Sequence, residues 1–89
     1  MTAVLRLVSA LEDKNDLALA RMLERALRYA HEYQTSQLEK NEQLRRDNSM
    51  LAAARLNAAY EMIAASSGIP EDAVMKVVMQ HAKTKGSAS

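Results

Sequence analysis

The chain has 89 residues, no cysteine, and 12 Lys and Arg against 11 Asp and Glu. This length predicts a single domain with a modest core, and the absence of cysteine excludes a disulfide framework and thiol chemistry. The charges also cancel along the chain, which argues against a general polyanion binder, since such a protein carries a basic excess on one segment.

The first segment, residues 3–12, is predicted to form a short helix. Val4, Leu7, Val8 and Leu11 recur on one helical face, and Thr2 is placed to cap the first turn. The segment lacks a secretory pattern, and no apolar run approaches membrane-spanning length, so a cytoplasmic protein is expected. The polar run 12–16 should then end the helix, with Asp13 or Asn15 capping the next one.

The long stretch 16–66 is predicted to be a single helix. It contains neither Gly nor Pro, and its only β-branched residues are Thr35 and Ile63. At 1.5 Å per residue such a helix is about 75 Å long, so it would project from any compact body of this size. Ser36 and Glu39 have capping-box spacing, which leaves the alternative of a break at 34–36 and a hairpin of helices 16–33 and 37–66. Continuity is preferred because no Gly or Pro supports the turn.

A register of alternating three- and four-residue steps runs through this stretch and predicts a coiled coil. Its members are Leu23, Leu27, Ala30, Gln34, Gln37, Asn41, Leu44, Asn48, Leu51, Arg55, Ala58 and Met62.

The pairing partner of the long helix is predicted to be another copy of the chain. Two short helices cannot cover a 75 Å stripe, so a homodimer or tetramer is expected. In a parallel pair, Asn41 and Asn48 would fix the register. In an antiparallel pair, positions that sum to 82 would meet and set large residues against small ones. The predicted seam residues are Leu19, Leu23, Leu27, Leu44, Leu51, Leu56, Met62 and Ile63.

The C-terminal part is predicted to turn at Gly68, where a helix-ending glycine belongs, and to start a last helix at about 70–83 with Pro70 in its first turn. Residues 1–83 would form one all-α domain and residues 84–89 a disordered tail.

The segment 63–78 resembles the helix-turn-helix of lactose-repressor-type proteins. Ala64 matches the small residue of the first helix, Gly68 the turn glycine and Ile69 the apolar residue after it. The buried face of the second helix is matched by Val74, Val77 and Val78. This resemblance implies a DNA-binding dimer that reads a groove through 63–81. Glu71 and Asp72 depart from it, because they would bring negative charge to phosphate at the start of the recognition helix.

The sequence offers no constellation for catalysis, a metal or a cofactor. His31 and His81 lie fifty residues apart, and neither has a second His or Cys at ligand spacing. The two glycines form no phosphate-binding loop. The protein is therefore expected not to be an enzyme.

Three arginines, Arg21, Arg25 and Arg28, share one helical face and could contact phosphate. Glu24 and Glu32 lie close enough in the helix to neutralise them. A solvated face held by salt bridges is the preferred interpretation.

The function expected from these features is that of a regulator that binds another protein. In size and helical architecture the chain resembles the small antirepressors and inhibitors of temperate phages, which implies a transcription regulator, such as a repressor, as partner. Helix 3–12 and the C-terminal corner would make the contacts, the latter through Ile69, Val74, Met75, Val78 and Met79. A DNA-binding dimer and a structural coiled-coil spacer are the alternatives.

Overall fold

The computed structural model describes residues 2–88 and the side chains of residues 3–83, and this part of the chain is all α-helical without a strand. The four helices are α1 (Thr2–Asp13), α2 (Leu17–Ser36), α3 (Glu42–Ser67) and α4 (Glu71–Ala88). The molecule measures 41 × 28 × 20 Å. The all-α prediction is confirmed.

The long helix is broken, so the prediction of an unbroken 16–66 helix is wrong. The chain leaves the helix after Ser36 and resumes it at Glu42, which makes α2 and α3 an antiparallel hairpin. Ser36 does not start the second helix but closes the first, since its Oγ donates to the Tyr33 carbonyl at 2.6 Å. The start of α3 is capped by Asn41, whose side chain accepts from the Leu44 amide at 3.0 Å. The hairpin alternative is thus correct, with the break at 37–41 instead of 34–36.

Each of the two other connections between helices contains a residue that starts or ends a helix. Asp16 caps α2 by accepting from the Leu19 amide at 3.2 Å, so the predicted caps Asp13 and Asn15 are wrong. Before it, Lys14 has φ of 56°. Gly68 ends α3 with φ of 75° and donates its amide to the Ala64 carbonyl, which confirms the predicted glycine stop.

The last helix begins directly after Pro70, whose carbonyl accepts from the Ala73 and Val74 amides. It continues to Ala88 instead of ending near residue 83. The side chains of 84–88 and the whole of Ser89 lie outside the described residues, so the predicted disorder of 84–89 stays a prediction.

The core lies where α2 meets its three neighbours. α2 packs against α1, α3 and α4, and α1 lies against α2 and α4. All four helices and the connection between α3 and α4 contribute buried apolar side chains, among them Leu7, Leu19, Leu23, Ala26, Ala30, Leu56, Ala59, Tyr60, Ile63, Ile69, Val74, Val77 and Val78. The buried alanines let the helices approach closely, and the larger side chains fill the space between them.

The antiparallel packing that the sequence predicts between copies occurs within one chain. Ser36 Oγ lies 2.8 Å from Ser49 Oγ, and the carboxylate of Glu32 lies 3.9 Å from the Arg55 guanidinium. These facing positions sum to 85 and 87 instead of the predicted 82. The hairpin is therefore antiparallel within one chain, with a register shifted from the one predicted between copies.

Candidate functional site

The predicted intermolecular seam divides into two groups in the folded chain. Leu19, Leu23, Leu56 and Ile63 are buried in the core of the single chain, and Leu27 is half-buried against that core. Their assignment to a seam between copies is corrected, because the hairpin already covers them.

The remaining seam residues lie exposed on one face of α3. Leu44, Leu51 and Met62 expose 49%, 52% and 54% of their surface, and Ala58 between them is also exposed. Spacings of seven, seven and four residues place these side chains on one face of the helix. We call this set of four residues the α3 stripe. Single exposed apolar residues are ordinary, whereas an aligned set is a feature of interaction surfaces.

A shallow groove lies beside this stripe, between α2 and α3. Its apolar lining comes from both helices: Met22 and Tyr29 of α2, and Ala58, Ala59 and Met62 of α3. Two arginines, Arg25 and Arg55, lie at its sides. The groove encloses about 170 Å³, less than the roughly 300–1,000 Å³ of small-molecule sites. Its size suits one or two side chains of a partner. Sequence reasoning missed this set because its members come from two helices that it did not fold together.

Towards the hairpin tip the same inter-helical surface becomes polar. Glu32, Thr35 and Glu39 face Asn48 and Leu51 across it. The two ends of this surface between α2 and α3 therefore differ in charge. Arginines lie beside Met62, and carboxylates lie near the hairpin tip.

The arginine face of α2 is not neutralised in the predicted way. The Glu24 carboxylate pairs with Lys14, and that of Glu32 faces Arg55 across the hairpin. Arg21, Arg25 and Arg28 are exposed, and no ion pair forms on them within the described part of the chain. The tertiary structure thus corrects the expectation of a face held by salt bridges and leaves a basic strip next to the groove.

The predicted partner residues of the C-terminal corner are also divided by burial. Ile69, Val74 and Val78 lie in the core, so their assignment to a partner surface is corrected. Met75 and Met79 remain 41% and 40% exposed on α4.

The predicted helix 3–12 is likewise partly covered by the fold. Leu7 is buried, while Leu5 is exposed, and Arg6 donates from Nη1 to the Ser67 carbonyl at 3.0 Å.

The three valines of the segment that resembles a helix-turn-helix, Val74, Val77 and Val78, are buried in the core, as the inner face of any such helical corner would be. The exposed start of α4, however, carries Glu71 and Asp72 ahead of Lys76. Negative charge at this end would repel a phosphate backbone.

The polar residues considered for chemistry are dispersed. Among the described residues, no group of three or more His, Cys, Asp and Glu side chains is placed to hold a metal ion. His31 lies beside the polar end of the groove, whereas His81 contacts its own helix, with Nδ1 3.2 Å from the Val77 carbonyl. None of the described helices is long and apolar enough to span a membrane.

One polar group inside the core stands out. Tyr60 is 2% exposed, and its hydroxyl has no hydrogen-bond partner within the described part of the molecule. Burial raises the pKa of Tyr60 to about 12, because the phenolate would lose its hydration.

Comparisons with protein-family models, curated proteins and solved structures found no match to this chain.

Proposed function

We propose that this protein is a small helical regulator that performs no chemistry and acts by binding another protein. The observation that supports the proposal is the α3 stripe of Leu44, Leu51, Ala58 and Met62, which the chain's own fold leaves exposed. Exposing aligned apolar side chains to water is unfavourable by about 25 cal/mol per Å². A partner that covers them gains this free energy on binding.

Self-association is part of the proposal. Leu44 and Leu51 lie one heptad apart near the hairpin tip, with Asn48 between them on the same face. This is the arrangement of a short coiled-coil seam. Two or four copies would associate through this half of the stripe, while the opposite end of the hairpin stays accessible.

The partner that the architectural resemblance implies is a transcription regulator, bound in the manner of an antirepressor. Met75 and Met79 of α4 provide a second apolar surface for it. Flexible methionine side chains adapt to irregular partner surfaces. The acidic start of α4 favours this role over a DNA-reading one.

The proposal is tested by purifying the tagged protein from its own host with and without nuclease. The expected result is a host protein that still co-purifies after nuclease treatment. This host protein should no longer co-purify with the Leu51→Asp variant or with the Met79→Asp variant. Met50→Asp is the control, since Met50 is 72% exposed on a different face of α3.

Two results together would overturn the proposal. One is nuclease-sensitive recovery of every co-purifying component. The other is a sequence-specific complex between the isolated protein and operator fragments in a gel-shift at 150 mM salt, which would favour the DNA-binding alternative.

A further inference from the structure

We infer that the groove between α2 and α3 binds an amphipathic helix of a partner protein, and that this helix carries carboxylates beside its apolar face. The inference rests on the proposed protein-binding function and specifies the chemistry of the partner.

The floor of the groove is apolar and deformable. Met22 and Met62 line it from opposite helices, together with Tyr29 and Ala58. Methionine has three rotatable bonds and a polarizable sulfur, so the two side chains can close around an inserted leucine or phenylalanine. The small side chains of Ala58 and Ala59 let a third helix approach the hairpin.

The sides of the groove are positively charged. Arg25 projects from α2 and Arg55 from α3, and they flank the same apolar floor. Arg21 and Arg28 extend the positive strip along the exposed face of α2. Glu32 is only loosely paired with Arg55, at 3.9 Å with both side chains about half exposed. A guanidinium in this state can donate a bidentate hydrogen bond to a partner carboxylate.

The shape of the groove indicates a helical ligand. The wall runs from Met22 to Tyr29, seven residue steps apart, or roughly 10 Å at 1.5 Å per residue. That length matches two turns of a helix lying along the hairpin, with one or two of its apolar side chains inserted into the groove. Extension of a sheet by a partner strand is not an option on the described part of the chain, which has no strand.

A nucleic acid would match this surface less well than an acidic amphipathic helix. Phosphates could contact Arg25 and Arg55, but a charged backbone would leave Met22 and Met62 without apolar partners. The combination of arginines with an apolar floor therefore favours an acidic amphipathic helix.

The experiment uses the full-length protein and two labelled synthetic helical peptides of 18 residues with identical leucine positions. One peptide carries Glu beside the leucines and the other carries Lys. Fluorescence anisotropy should show that the Glu peptide binds at least tenfold more tightly. Arg25→Glu and Met62→Asp should each weaken its binding tenfold or more. Both positions are exposed, so circular dichroism should show unchanged helicity.

The control is Lys76→Glu, the same reversal of charge on the exposed surface of α4. Binding of the Glu peptide should stay within twofold of the unaltered protein. Equal affinity for the two peptides, absence of binding, or binding that Arg25→Glu leaves unchanged would each overturn the inference. Tighter, Arg25-dependent binding of a single-stranded oligonucleotide would overturn it in favour of nucleic acid.

Failure of this inference is distinguishable from failure of the proposed function. A host protein that still co-purifies with Arg25→Glu, but is lost from Met79→Asp, would place the partner on α4. The groove would then be excluded, while the protein-binding role would stand.

Discussion

At the scale of single residues, Tyr60 is the clearest conflict between burial and polarity. Its ring fills the core between α3 and its neighbours, yet its hydroxyl has no hydrogen-bond partner within the described part of the chain. A buried polar group without a partner costs about 1–3 kcal/mol in lost hydration. The hydroxyl therefore lowers the stability of the fold.

Tyr60→Phe is expected to raise the free energy of unfolding by about 1 kcal/mol, because it removes the unpaired hydroxyl and keeps the ring. Urea denaturation at pH 7 measures this change. Tyr29→Phe is the matched control on the half-buried groove wall and should change stability by less than about 0.5 kcal/mol. A less stable Tyr60→Phe protein would show that the hydroxyl has a partner after all.

The same residue should make the fold sensitive to alkali. Below pH 10 Tyr60 is protonated in both states and contributes no pH dependence. Between pH 10 and about 12 the unfolded chain releases this proton while the folded chain keeps it, since burial raises the pKa to about 12. Stability therefore falls as the pH rises through this window, by up to roughly 2.7 kcal/mol at 1.36 kcal/mol per pKa unit.

Tyr60→Phe isolates this contribution, because the two proteins share every other titrating group. Denaturant unfolding at pH 9, 10 and 11 should show the stability difference widening in favour of phenylalanine. A constant difference across this range would contradict a raised pKa of Tyr60.

At the scale of helices, the break at 37–41 follows from the phase of the apolar pattern. The heptad-like register passes through buried positions on α2, such as Leu23 and Ala30. If the same register is continued past the break, its positions on α3, such as Leu44 and Leu51, lie on the exposed face of that helix. The buried face of α3 instead carries Ala52, Leu56, Ala59, Tyr60 and Ile63. One straight helix cannot present both apolar faces to the same neighbour, so the chain reverses.

The other reversal, between α3 and α4, depends on one glycine. Gly68→Ala is expected to lower the free energy of unfolding by about 1–2 kcal/mol, because φ of 75° is strained for alanine. The strain comes from the backbone alone, since an added Cβ would meet nothing within 4 Å. Gly68→Asn should cost less, because asparagine tolerates the left-handed region. Equal stability of all three proteins in chemical denaturation would exclude this role for the glycine.

At the scale of the whole molecule, a compact hairpin changes the expected role of Leu51. The side chain is 52% exposed in the single chain, so folding does not require it, whereas the proposed self-association does. A core residue and an interface residue respond differently to the same substitution, and this difference can be measured.

Leu51→Asp is expected to abolish self-association while changing the stability of the isolated chain by less than about 0.5 kcal/mol. Sedimentation velocity at micromolar concentration measures the first effect. Thermal unfolding at the lowest usable concentration measures the second, because association raises the melting temperature in a concentration-dependent way. Met50→Asp should leave both unchanged. A Leu51→Asp protein that unfolds would contradict the exposed position of this residue.

The sequence by itself determined the all-α class, the short first helix and the glycine stop at Gly68. These features depend on helix propensity, end signals and periodicity, which act over a few neighbouring residues. The sequence analysis placed Asn41 in the coiled-coil register, whereas in the folded chain its side chain caps α3.

Only the tertiary structure decided that α2 pairs with α3 of its own chain. The same apolar faces could pair within one chain or between two, and no local signal distinguishes these outcomes. Closing a five-residue connection costs little entropy, whereas joining two chains costs translational and rotational freedom. The hairpin therefore covers Leu19, Leu23 and Ile63 inside the chain, and the out-of-phase residues Leu44, Leu51 and Met62 remain exposed on its surface.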